Sequence, residues 1–184
     1  MNSNQYNILN MLERENRPLF FREISKKSNV SIGGTQKVLH DCSNFLKKQV
    51  SGRNTYYFFK QGIENFYLKK LIESERSIRF IEKNSKLKSF LSKLIELNIS
   101  CLIFGSYASF SNKKNSDLDL FVLGDKKLPE HLCPVELHVV RASKQEFEKS
   151  VKIQEDLVRE IVRNHVIVLG NDYFLEVFNK NEKN

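Results

Sequence analysis

Leu102-Ile103-Phe104-Gly105-Ser106, a ten-residue spacer, and Asp117-Leu118-Asp119-Leu120-Phe121-Val122 form the stretch that decides how this chain is read. The apolar run 102–104 predicts a buried strand that breaks at Gly105 into a turn and the start of a helix. A glycine lets backbone approach a ligand closely, a serine hydroxyl can donate, and a helix start offers free N–H groups to an anion. The second run alternates apolar and polar residues as a half-buried strand does, so Asp117 and Asp119, at i and i+2, share one face. Two carboxylates at one strand end suit Mg²⁺, which takes oxygen ligands and keeps substrate phosphates in its shell.

A site that clamps both the attacking and the leaving oxygen of an in-line displacement with two ions needs a third acid on a neighbouring strand. Pro134-Val135-Glu136-Leu137-His138-Val139-Val140 supplies one. Val135, Leu137 and Val139 take one face of that strand, and Glu136 and His138 take the other. Glu136 is assigned as third metal ligand or general base, and His138 is left out of the catalytic set.

These residues resemble the minimal nucleotidyltransferases of the DNA polymerase β superfamily, whose pattern is Gly-Ser, a spacer, Asp-x-Asp, then a lone acid on a later strand. Gly105, Ser106, Asp117, Asp119 and Glu136 match it. The resemblance runs from Asn98 to Phe178 and includes a tail, Arg159 to Gly170, like the family's closing helix and strand. It implies that Gly105-Ser106 holds the β/γ phosphates of an NTP, ATP by preference, and that Asp117, Asp119 and Glu136 hold two Mg²⁺ ions. Lys113 and Lys114 in the spacer are assigned to the nucleotide, because Ser109-Phe110 stands where the family often has arginine and glycine. The implied acceptors are a protein hydroxyl, as in antitoxins that adenylylate a partner toxin, an RNA 3′ end, or a small molecule such as an aminoglycoside. The protein or RNA acceptor is favoured.

The first sixty residues predict helix, helix, helix and hairpin: 4–15, a turn at Pro18, 21–27, a turn at Ser28-Asn29-Val30, and a third helix from Ser31 to about Lys48. In that helix Val38, Leu39, Cys42, Phe45 and Leu46 recur at helical spacing, which predicts a buried stripe. Its first turn is expected to present Ser31, Thr35 and Gln36 outward, with Lys37 and His40 also away from the stripe. Gly52-Arg53 is expected at the turn of a hairpin whose second strand is Thr55 to Phe59. This resembles the winged-helix domains of small bacterial and archaeal transcription regulators, whose Gly-Arg-x-x-Tyr-Tyr wing is matched by Gly52, Arg53, Tyr56 and Tyr57. The resemblance implies duplex DNA as partner, with Thr35, Gln36, Lys37, His40 and Arg53 in contact, and a possible homodimer reading two half-sites.

Charge follows the same division. Residues 1–60 hold 10 Lys and Arg against 4 Asp and Glu, a net of +6, whereas residues 99–184 hold 12 against 13, a net of −1. A basic sixty-residue module fits phosphate-backbone binding, in which cations release condensed counterions. Between them, 61–97 contains no proline and carries a helical stripe of Phe66, Leu68, Leu71, Ile72, Ile78 and Ile81, then Leu87, Phe90, Leu91 and Leu94, with a break at Asn84-Ser85.

Three cysteines without metal-ligand spacing read as reduced thiols. A polar start and the lack of a long apolar run predict a cytoplasmic protein with no membrane partner. The expected architecture is α+β: a winged helix-turn-helix domain at 1–60, a helical linker at 61–97, a polymerase β-like nucleotidyltransferase domain at 98–178 with a mixed sheet flanked by helices, and a disordered tail at 179–184. The expected function is Mg²⁺-dependent transfer of an NMP from NTP. The alternative is a DNA-binding transcription regulator whose nucleotidyltransferase domain is inactive or only senses nucleotide.

Overall fold

The structure is a computed structural model that describes residues 1–181. Contacts divide the chain into two units, Met1–Ile72 and Glu73–Asn184.

The first unit opens with α1 (Ser3–Glu15), started by a reciprocal cap: Asn2 Oδ1 accepts from the Gln5 N–H at 2.9 Å and Gln5 Oε1 accepts from the Asn2 N–H at 3.1 Å. Its Tyr6, Ile8, Leu9 and Leu12 are buried. A two-residue strand, β1 (Leu19–Phe20), leads into α2 (Phe21–Ser28), which stops at Asn29 in the left-handed region. Helix α3 (Ile32–Asp41) follows, with Ser31 Oγ capping the Gly34 N–H. Strands β2 (Leu46–Ser51) and β3 (Asn54–Phe59) complete an antiparallel sheet of order β1-β3-β2. Ser51 pairs with Asn54 across the two-residue turn Gly52-Arg53, and Gly52 supplies the positive φ of 58° that this turn demands.

One expectation fails here. The third helix ends at Asp41 rather than near Lys48, and the apolar repeat through Phe45 and Leu46 continues into a turn and a strand. Leu46 pairs with Phe59, and that pairing satisfies a full row of backbone groups.

Helix α4 (Ile63–Lys83) crosses the division between the units. Leu68 and Ile72 pack into the first unit's core, while Phe80 belongs to that of the second. After a 3₁₀ turn at Ser85–Leu87, α5 (Lys88–Glu96) precedes β4 (Cys101–Phe104), the single helical turn α6 (Gly105–Ala108) and β5 (Leu118–Leu123). Then come β6 (Leu137–Ala142), α7 (Lys144–Lys152), α8 (Asp156–Arg163), β7 (Val166–Leu169) and α9 (Asn171–Asn181). Of the tail expected at 179–184, residues 179–181 finish α9 and 182–184 lie outside the described residues.

The sheet order is β6-β5-β4-β7, with β5 and β6 parallel and the other pairs antiparallel, so it is mixed. Alternation gives it two apolar faces. Cys101, Ile103, Leu118, Leu120 and Val122 share one core cluster with Phe90, Leu91 and Leu94 of α5. On the other face Phe121 packs on Phe147 of α7, ring centroids 4.6 Å apart, and on Phe174 of α9 at 6.4 Å.

Behind this face lies a fully buried polar group. Arg76 pairs with Glu73 one turn away on α4, and its Nη1 lies 3.3 Å from His165 Nε2. His165 Nδ1 sits 2.8 Å from the Ile161 carbonyl, which can only accept, so the proton is on Nδ1 and Nε2 is free to accept from Arg76. Glu73 Oε2 has no hydrogen-bond partner among the described residues.

Burial keeps the thiols protonated: it pushes Cys101 up to about 12 and raises Cys42 and Cys133. Among the described residues no helix is long and apolar enough to cross a membrane.

Candidate functional site

The carboxylates sit where β4 ends and β5 begins. Antiparallel pairing sets Phe104 opposite Asp119, so the chain leaves β4 at Gly105 directly beside that side chain. The approach is close enough to exclude any other residue: a Cβ at Gly105 would lie 2.3 Å from Asp119 Oδ2, and the backbone there has φ +65°. Gly105 thus answers two demands at once, a left-handed turn and a carboxylate packed against main chain. Gly105→Ala is expected to force Asp119 out of place and to cost transfer activity about a hundredfold or more, as displacements of about 1 Å at reacting groups do. Transfer assays alongside circular dichroism of the full chain check this, since the global fold should survive.

Parallel pairing of β5 with β6 sets His138 beside Asp119, and His138 Nδ1 lies 2.9 Å from Asp119 Oδ1. Asp117, Asp119 and His138 each offer one ligand atom, all within 4.8 Å of one another. Asp119 is largely covered, its side chain 20% exposed, whereas that of His138 is 59% exposed. Asp117 is exposed.

Glu136 is not in this group. It is exposed, one residue before β6, and its carbonyl accepts from the Leu118 N–H at 2.8 Å. The residue that comes to the carboxylates from that strand is the histidine two positions on. The signal for it was in the sequence, because Glu136 and His138 alternate onto one face, but a search for a third acid passes over it.

Ser106 is half-buried within α6, a single four-residue helical turn that starts at Gly105. Lys113 and Lys114 lie in the exposed segment between α6 and β5, where the Lys113 N–H donates to Ser116 Oγ at 2.9 Å.

In the first unit, Gln36, Lys37 and His40 are exposed on α3 and Arg53 is exposed at the hairpin turn. Thr35 is not. It is fully buried, and its hydroxyl donates to the Val30 carbonyl at 3.3 Å, because it lies three and four residues before Val38 and Leu39 on the same stripe. Thr35 is therefore removed from the expected DNA contacts. A cavity of about 330 Å³ opens beside the exposed residues, lined in part by Phe21, Gln36, Leu39, His40, Lys48 and Tyr57.

The donor chemistry suits a divalent cation. Two ligand bonds of roughly 2.1 Å at right angles place their ligand atoms about 3.0 Å apart, close to the 2.9 Å between Asp119 Oδ1 and His138 Nδ1.

No curated protein and no solved structure matches the chain. The family model described as nucleotidyltransferase domain does match, over residues 84–183, more than half of the chain. That span takes in the whole mixed sheet, the Gly105 turn and the three converging side chains, and by it the chain belongs to the nucleotidyltransferase domain family.

Proposed function

We propose that the protein transfers an NMP, AMP from ATP by preference, to a hydroxyl of a protein or RNA acceptor, and that its first unit is a winged helix that binds duplex DNA. The observation that carries the transferase reading is the packing of Asp119 against Gly105 beside Asp117, which sets two carboxylates at the mouth of a Gly-Ser turn inside the matched family span. Gly105-Ser106 receives the β/γ phosphates, and Lys113 and Lys114 add positive charge from the spacer. Asp117 and Asp119 hold divalent metal, Mg²⁺ in the sequence reading. When bound, such ions polarise the phosphoryl oxygens and stabilise the attacking and leaving oxygens of an in-line displacement. The acceptor oxygen bonds to the α-phosphorus as the bond to the bridging oxygen breaks and pyrophosphate leaves. Glu136, lying outside the three-ligand group, keeps the second of its two assigned roles and accepts the hydroxyl proton. The three converging atoms make one ion position, so a second ion would draw its ligands from the NTP phosphates and neighbouring oxygens.

Incubation of the protein with each α-³²P-labelled NTP and divalent metal in lysate of the source cells, with Asp117→Asn as control, tests the transferase reading. A labelled protein or RNA absent from the control supports it and gives the acceptor class. No label with any NTP would leave the regulator reading, which the Ser109-Phe110 departure from the family pattern favours.

Support for the DNA reading comes from the sheet order β1-β3-β2 flanked by three helices, the exposed Gln36, Lys37 and His40, and Arg53 at a hairpin turn on a module of net charge +6. Exposed Lys47 and Lys48 on β2 extend the cationic surface. Arg53→Ala is expected to weaken duplex binding at moderate salt and to lower the slope of log affinity against log salt by about one. Fluorescence anisotropy over a salt series reads both. Absence of wild-type binding at low salt would make the unit a docking module instead.

A further inference from the structure

We propose that His138 is itself a metal ligand, and that the Asp117–Asp119–His138 set selects ions that accept nitrogen, Mn²⁺ and Co²⁺, over Mg²⁺. The inference rests on the transferase reading above and names the metal class of that same site.

Three observations carry it. The ligand atoms of the three residues lie within 4.8 Å of one another, and no other such group of His, Cys, Asp and Glu occurs among the described residues. The 2.9 Å separation of His138 Nδ1 from Asp119 Oδ1 is already the spacing of neighbouring ligands in an octahedral shell. His138 Nδ1 has no other partner among the described residues, and the side chain is 59% exposed, so Nε2 can carry the proton toward solvent while the Nδ1 lone pair ligates.

The charge count points the same way. With Glu136 outside the group, the set brings two negative charges and a neutral nitrogen rather than three negative charges. Mg²⁺ is a hard cation that depends on oxygen ligands and gives up water reluctantly, so the exchange weakens its hold most. First-row transition ions gain from imidazole, increasingly from Mn²⁺ to Co²⁺.

The test uses the full chain with Mn²⁺ as probe and Mg²⁺ as competitor, in the wild type, His138→Asn and His138→Asp. Both substitutions are at an exposed position and should leave the fold intact. Pulsed electron paramagnetic resonance of bound Mn²⁺ should show coupling to a directly ligated ¹⁴N in the wild type and lose it in both variants. The preference for Mn²⁺ over Mg²⁺ should fall about tenfold in His138→Asp, the scale on which changes around a metal site act. Mn²⁺ bound without ¹⁴N coupling, at a Mn²⁺/Mg²⁺ ratio that neither variant changes, would overturn ligation by His138 and leave the transferase reading standing. Failure of the wild type to bind either ion, alone or with ATP, would overturn both.

Discussion

Asp119→Asn is expected to abolish nucleotidyl transfer, a loss of roughly a thousandfold or more, while the protein stays folded and any DNA binding is unchanged. The side chain is held from two directions, against the Gly105 backbone and 2.9 Å from His138 Nδ1, so the amide can occupy the same space. What it lacks is the charge. Metal-assisted stabilisation of a phosphoryl transition state is worth several kcal/mol, and each 1.4 kcal/mol is about tenfold in rate. Single-turnover transfer of label from α-³²P-ATP, with metal binding followed in parallel, checks the prediction. Undiminished transfer would remove Asp119 from the site.

A second large effect lies away from the chemistry. Arg76→Met should destabilise the protein by about 3–5 kcal/mol, the usual cost of breaking a buried ion pair by removing one partner. Glu73 and Arg76 are both fully buried, and removing the guanidinium takes away the cation that Glu73 is paired with, beside an Oε2 that has no hydrogen-bond partner among the described residues. Adding Glu73→Leu to that change should recover most of the loss, because an apolar pair has no charge left to strand. Urea denaturation of the wild type, single and double variants separates the cases. A single variant as stable as the wild type would show that the pair contributes nothing.

The carboxylate pair was legible because strand alternation is local: two residues apart on an apolar run puts Asp117 and Asp119 on one face whatever the rest of the chain does. The Gly-Ser turn was legible for the same reason. What the sequence could not show was the distance between them, which comes from pairing Phe104 with Asp119 across fifteen residues. The triad of Glu73, Arg76 and His165 was hidden altogether, since its members are up to 92 residues apart. The overextended third helix has another cause. Val38, Leu39, Cys42, Phe45 and Leu46 satisfy a helical period through accidental spacing, and the β2–β3 pairing, a non-local contribution, takes the last of them. Thr35 was misplaced by a lapse the sequence itself could have corrected, because counting back three from Val38 and four from Leu39 lands on it.

The contact between Gly105 and Asp119 also bears on how this chain can change over generations. Any side chain at position 105 must occupy space that the Asp119 carboxylate fills, so a mutation there is tolerated only in a lineage where position 119 has already shrunk or turned away. A descendant that keeps the fold and abandons transfer is thus expected to lose the aspartate first and the glycine afterwards, and a non-glycine residue at 105 in a relative would record that the chemistry had already been given up.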